Sequence, residues 1–137
     1  MNYLDNQLCV QLYIKTRAII RFHEKQLKLL GLTYPQALVL LALEEKSPCY
    51  IDEVATRLLL DIGTLSPLLK KMEKGGYIKK KRGEKDERRV FISLTSLGEK
   101  SIEPIKRVFE KTSAAICLPP STKQEMLTHI RFVNFTE

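Results

Sequence analysis

Apolar residues recur at helical spacing from Asp5 to Leu30: Leu8, Leu12, Ile19, Phe22 and Leu27, with Cys9 and Ile20 beside them and no Gly or Pro between. This pattern predicts one long helix, ended by Gly31. Thr33-Tyr34-Pro35-Gln36 then supplies a helix start: a capping Thr, a Pro in the first turn and Gln three residues on. The run Ala37 to Glu44 is apolar nearly all round, which places it in the core, and Ser47-Pro48 breaks it. Two shorter helical stretches follow, Asp52 to Leu59 and Gly63 to Lys74. Val54, Ala55, Leu58 and Leu59 give the first an apolar face; Leu65, Leu68, Leu69 and Met72 give one to the second. Joined by the tight turn Leu60-Asp61-Ile62, they have the skeleton of a helix-turn-helix. Asp61 suits the cap of the second helix, which leaves Pro67 beyond the first turn, where it removes a backbone bond. Gly75-Gly76 is the stop.

The period then changes. Tyr77-Ile78-Lys79 and Val90-Phe91-Ile92-Ser93-Leu94 read as two strands, the second alternating strictly, and their connection Lys80 to Arg89 is too polar to bury. A basic hairpin directly after a helix-turn-helix is a wing. Thr95 caps another long helix whose face of Leu97, Ile102, Ile105, Val108, Phe109 and Ile116 persists to Pro119-Pro120, with Pro104 near its early turns. A last helix begins at the overlapping capping boxes Ser121-x-x-Gln124 and Thr122-x-x-Glu125 and carries Met126, Leu127, Ile130 and Val133. The fold class is mainly α with a small β-hairpin wing, in a single domain over residues 1–137. The winged helix-turn-helix occupies about 33–95, and helical dimerisation regions lie at about 5–30 and 96–137. The terminal helices carry more apolar surface than so small a domain can cover alone. A homodimer would bury it and set two recognition helices one duplex turn apart, roughly 34 Å.

Composition narrows the class. A chain of 137 residues, 44% hydrophobic and 28% charged, has material for a real core and is not a disordered segment. The longest apolar run, Ala37 to Leu43, is far short of a bilayer span, and the start Met1-Asn2-Tyr3-Leu4-Asp5-Asn6 lacks the regions of a signal peptide. The expectation is a soluble cytoplasmic protein with no membrane partner. Three cysteines, Cys9, Cys49 and Cys117, are too few and scattered for a disulfide framework, and no Cys-x-x-Cys suggests zinc. No metal or cofactor is implied.

Charge is concentrated. Of the net +7, the window Lys70 to Arg89 holds +6, with ten basic residues against four acids, and the rest of the chain is nearly neutral. Clustered cations on a neutral body suit a local polyanion such as duplex DNA, although a solvated lysine-rich hairpin carries the same charge.

Four segments carry a resemblance: Leu4-Asp5-Asn6-Gln7-Leu8-Cys9; Leu32-Thr33-Tyr34-Pro35-Gln36; Leu60 to Glu73, beginning Leu60-Asp61-Ile62-Gly63-Thr64-Leu65-Ser66-Pro67; and Lys85-Asp86-Glu87-Arg88-Arg89 through Thr95. In this order and length they resemble the MarR family of winged-helix transcription regulators, within it the organic-hydroperoxide-sensing subgroup of the OhrR, MgrA and SarZ kind. The C-terminal third matches only in pattern. The resemblance implies that residues 63–73 enter the major groove of a pseudo-palindromic operator. Thr64, Ser66 and Pro67 would meet base edges and nearby backbone, and Lys70 and Lys71 would meet phosphates. In the wing, Arg82 and Lys85 would add contacts. Arg88 matches the family arginine that enters the minor groove, supported by Asp86; the alternative for Arg88 is a surface ion pair with Asp86 or Glu87. Ile62 stands where close relatives usually have Ser.

The same resemblance implies redox sensing at Cys9, one turn inside the first helix, where the helix dipole favours thiolate. A small buried core residue is the plain alternative. Tyr34 matches a tyrosine that reaches the reactive sulfur from the other subunit. His23 replaces a second tyrosine of that constellation, or else is a surface histidine outside it. Cys117 lies in the region of a resolving thiol; without it, the partner in disulfide formation is a low-molecular-weight thiol. Cys49 reads as structural. Release of DNA by a small aromatic ligand in the interhelical cleft, without thiol chemistry, is the alternative function. A thiol peroxidase is disfavoured because no catalytic motif surrounds Cys9, although Arg17 and Arg21 share its helix.

Overall fold

The computed structural model describes residues 2–86 and 88–134. Their elements run α1 (Leu8–Leu27), α2 (Tyr34–Glu45), β1 (Cys49–Tyr50), α3 (Ile51–Leu58), α4 (Ile62–Lys74), β2 (Ile78–Arg82), β3 (Val90–Leu94), α5 (Ser96–Ala115) and α6 (Pro120–Arg131). The architecture is mainly helical with a small antiparallel sheet. No single described helix is long and apolar enough to cross a membrane.

The core is organised around α2. Thr33 caps it reciprocally with Gln36: the Gln36 N–H donates to Thr33 Oγ1 at 3.4 Å and the Thr33 N–H to Gln36 Oε1 at 2.9 Å. Ala37, Val39, Leu40 and Leu43 of α2 are fully buried. Helices α1, α3, α4 and α5 and strand β3 all pack against it. Each fully buried Leu contributes roughly 1.5–3 kcal/mol of transfer free energy, so this single helix gathers much of the driving force. Two surface ion pairs tie its C-terminal end down. Arg57 of α3 forks onto Glu45 at 2.8 and 2.9 Å, and Lys106 of α5 reaches Glu44 at 2.6 Å.

The sheet has the order β1-β3-β2. Strand β2 pairs with β3 from Ile78↔Leu94 to Arg82↔Val90, and β1 joins the other edge through Cys49↔Ile92 and Tyr50↔Phe91. Strand β1 was absent from the pattern reading because two residues carry no periodicity. Strand β2 extends to Arg82 rather than stopping at Lys79: alternate residues there face solvent, so lysines are admitted.

Helices α3 and α4 begin one residue earlier than the sequence pattern predicts, and the larger differences lie in α1, α5 and α6. The first helix is α1 with a separate 3-10 turn on each side, Leu4–Asn6 and Lys28–Leu30, closed by Gly31 at φ 71°. Helix α5 ends at Ala115, not at Pro119, and Pro104 lies in its third turn rather than near its start. Helix α6 begins with Pro120 at its first position, and neither Ser121 nor Thr122 caps it. Helix α6 buries none of its residues, leaving Met126, Leu127 and Ile130 about half exposed. The final residues of the expected dimerisation region, 135–137, lie outside the described residues.

Two backbone positions decide local stability. At the C-terminus of α3, Leu59 is left-handed (φ 52°) and the Leu60 N–H returns to the Ala55 carbonyl at 3.0 Å, a helix-ending turn that normally uses glycine. At the start of α5, a Cβ on Gly98 would lie 2.2 Å from the Tyr77 carbonyl oxygen. Gly98→Ala is expected to cost about 2–4 kcal/mol in urea unfolding, through forced separation of α5 from the wing root. Leu59→Gly is expected to do the reverse. Its side chain is 92% exposed, so relief of the left-handed strain should add up to roughly 1 kcal/mol. A midpoint lowered by Leu59→Gly in the same assay would contradict this account.

Candidate nucleic-acid interface and thiol positions

The Asp61 side chain caps α4. Its Oδ1 accepts the Thr64 N–H at 2.7 Å and its Oδ2 accepts the Thr64 hydroxyl at 2.7 Å. These bonds hold the Asp61 carboxyl below the usual carboxylate range, the Thr64 hydroxyl being the largest cause. They also commit the Thr64 hydroxyl proton to Asp61, which fixes that side chain. Leu65, Leu69 and Met72 bury one face of α4, while Thr64, Ser66, Pro67, Lys70 and Lys71 are exposed. The sequence-predicted contact residues therefore form one solvent face. Ile62, the first residue of the helix, is 48% exposed beside them.

In the wing, the loop beyond β2 is closed by the Gly83 N–H donating to the Arg89 carbonyl at 2.8 Å and the Arg89 N–H to the Asp86 carbonyl at 3.1 Å. The Asp86 carboxylate accepts the main-chain N–H of Arg88 at 3.0 Å. Asp86 supports Arg88 through the backbone, and the Arg88 guanidinium makes no ion pair with any described carboxylate. Glu87, the other partner weighed for it, lies outside the described residues. Arg82 ends β2 and Lys85 is exposed in the loop. Lys81 pairs with Glu84 at 3.3 Å, both ends highly exposed, so the bond contributes little.

Arg89 was overlooked in the sequence reading. Its guanidinium carbon lies 3.4 Å from the centroid of the Tyr50 ring and Nη2 reaches the Asp52 carboxylate at 3.2 and 3.4 Å. Tyr50 stacks on Phe91 with centroids 3.9 Å apart. The only signal in the chain was the Arg88-Arg89 doublet, which does not tell the two arginines apart. Pro48, Tyr50, Phe91 and the wing loop enclose a half-open cavity of about 660 Å3 beside this stack.

The thiols are widely separated in role. Cys9 is the second residue of α1, nearer the helix start than the spacing suggested, and is exposed rather than a core residue. Cys117 is exposed in the connection between α5 and α6, its Sγ donating to the Ala115 carbonyl at 3.7 Å. Cys49 is buried on β1, and burial pushes its thiol up, toward the unreactive form. His23 is not a surface residue: it is only 4% exposed, its Nδ1 lies 3.0 Å from the Ile19 carbonyl, and its ring sits 5.1 Å from Tyr34 and 4.3 Å from Phe109. Nε2 has no partner. Burial raises the Tyr34 phenol. Cys9 and His23 are fourteen residues apart on one helix, about 21 Å, so a single chain does not bring Cys9 to the His23 and Tyr34 rings. Among the described residues no group of three or more His, Cys, Asp or Glu side chains could hold a metal ion.

Residues 21–105, which span the buried helix, the helix-turn-helix and the wing, match the family described as transcriptional regulator SarA/Rot. The chain belongs to the SarA/Rot family. Over 124 residues this SarA/Rot member is 41% identical to the HTH-type transcriptional regulator MgrA of Staphylococcus aureus, covering 90% of this chain and 84% of that protein. It superposes on reduced AbfR bound to DNA with a TM-score of 0.76 and 38% identity, over 93% of this chain and 89% of that one. The disulfide-formed AbfR aligns at 0.70 and 34% identity, covering 96% and 93%. The crystal structure of MarR aligns at 0.84 and 26% identity, covering 96% and 90%. The SarA/Rot chain is thus a transcriptional regulator built on the MarR-type winged helix, a DNA-binding architecture, and not an enzyme.

The Asp61 cap generates a pH prediction. Its folded pKa is depressed, so its contribution is present above the unfolded value of about 3.9 and is lost as pH falls through the folded value. The difference in unfolding free energy between wild type and Asp61→Asn should be constant near neutrality and shrink below about pH 4. A difference that widens on acidification would contradict the assignment.

Proposed function

We propose that this regulator binds a pseudo-palindromic duplex operator as a homodimer, mostly as a repressor, and releases it when Cys9 is oxidised by an organic hydroperoxide. The observation that carries the DNA half is the exposure of Thr64, Ser66, Pro67, Lys70 and Lys71 on one face of α4, together with that of Arg82, Lys85 and Arg88 in the hairpin that follows it. Lys70 and Lys71 meet phosphates and fix register, the leading residues read base edges, and Arg88 occupies the minor groove with its main chain held by Asp86. The dimer is supported by the uncovered apolar residues of both ends, among them Leu8, Leu12, Met126, Leu127 and Ile130, on regions about 5–30 and 96–137.

For the sensing half, the exposed Cys9 at the start of α1 is the reactive thiol, and reduced and disulfide forms known for AbfR support a thiol cycle. The thiolate attacks a peroxide oxygen; an S–O bond forms as O–O breaks, leaving sulfenic acid and an alcohol. A second thiol, Cys117 of the partner copy or a low-molecular-weight thiol, displaces the sulfenic oxygen as water and closes a disulfide. Tyr34 and His23 complete the site from the other copy, since within one chain His23, against whose ring Tyr34 packs, lies about 21 Å along α1 from Cys9. Disulfide formation moves the long helices, and the two recognition helices lose the one-turn spacing. A reducing cytoplasm resets the thiols.

In a gel shift with operator DNA, cumene hydroperoxide should weaken wild-type binding by about 5–150-fold, the usual span of coupling between sites, and leave Cys9→Ser bound. Release of the Cys9→Ser protein on oxidation would sink the sensing claim. On a non-reducing gel, a covalent dimer that disappears in Cys117→Ser identifies the two-thiol route; its absence in wild type assigns the external thiol.

A further inference from the structure

We infer that Arg89 aims the wing: it is the positioning residue that sets where Arg88 enters the minor groove, and Tyr50 and Asp52 are its seat. The inference rests on the minor-groove reading of Arg88. Strand pairing ends at Arg82↔Val90, and past it the described hairpin is bridged by the Gly83 N–H to Arg89 carbonyl bond rather than by a continuing ladder. Arg89 stands one residue beyond this last rung. Its carbonyl and N–H close the loop to Gly83 and Asp86, while its side chain reaches back across the sheet. There its guanidinium carbon lies over the ring of Tyr50 of β1, 3.4 Å from the centroid, and its Nη2 meets Asp52, in the first turn of α3, at 3.2 Å. Phe91 of β3 backs the Tyr50 ring.

The geometry restrains what a single ion pair cannot. A planar guanidinium stacked on a ring resists tilting, and its contact with the carboxylate resists sliding along the ring. One end of the assembly is the helix-turn-helix itself, through α3, so wing and recognition helix keep a fixed relation. Both the Arg89 charge and its flat face are thereby occupied, whereas Arg88 makes no ion pair with a described carboxylate. The rival role for Arg89 is direct phosphate contact, which would require it to leave both partners.

The test uses full-length protein and a duplex selected by the wild type from a randomised pool. A second version carries 2,6-diaminopurine for adenine at the wing site, which adds a minor-groove amino group and leaves the major-groove donors and acceptors in place. Asp52→Asn removes a negative charge, which on charge alone would tighten binding. The expected result is binding weakened on the order of fivefold, discrimination against diaminopurine falling toward one, and an unchanged slope of log K against log salt. Arg89→Leu should behave alike, and in an Arg88→Ala background Asp52→Asn should add nothing. Thermal midpoints within about 4 °C of wild type keep these effects apart from unfolding, and should Arg89→Leu fail to fold, the exposed Asp52→Asn decides. Asp52→Asn binding as tightly as wild type, a salt slope lowered by about 0.9 in Arg89→Leu, or additive losses with Arg88→Ala would each overturn the assignment. If Arg88→Ala keeps its adenine preference, it is the minor-groove reading that fails, and an Asp52→Asn loss still reports a wing that must be aimed.

Discussion

The burial of α2 is the constraint on which everything else depends. From Ala37 to Leu43 the helix has no polar face to offer water, so the chain must surround it, and it does so with α1, α3, α4, α5 and β3. A close-packed helix of this kind transmits displacement rather than absorbing it. The long helices α1 and α5 and the second helix of the helix-turn-helix, α4, therefore share one neighbour. Any rearrangement of the first pair is felt by the second through side chains that have nowhere else to go.

Around that core, charge is divided by purpose rather than spread. The lysines of α4 stand on the face opposite Leu65, Leu69 and Met72, where they can gather phosphates without disturbing packing. Two adjacent arginines then take opposite tasks: the Arg88 side chain makes no ion pair with a described carboxylate, and Arg89 is fastened to Asp52 and Tyr50. A basic total of +7 contains none of this information. It is the pairing of each cation that separates a contact from a fastening.

Much of the fold was legible because the strongest signals are local. Thr33, Asp61 and Thr95 each cap the helix the sequence assigned to them, and the apolar periods of α2 and α4 lie on buried faces. What was illegible is non-local or too short to have a period. Strand β1 exists because its two residues find β3 more than forty positions away. Ser121 and Thr122 look like caps, yet the chain enters α6 through Pro120, whose fixed φ suits a first helical residue. The same limit governs the sites. The exposed α4 face followed from its period, but the burial of His23 between Tyr34 and Phe109 needed three helices to meet, and the seat of Arg89 needed β1 to exist.

Pro67 lies mid-helix in α4, on the exposed face, and has no N–H to return to the carbonyl of Gly63. That oxygen keeps acceptor capacity near the start of the helix proposed to read DNA. A main-chain acceptor there can accept a hydrogen bond from an exocyclic amino group on a base, or from a water bridging to one. Such recognition belongs to no side chain. Alanine at position 64 or 66 would leave it in place, whereas Pro67→Ala would return an N–H to the Gly63 carbonyl and remove it.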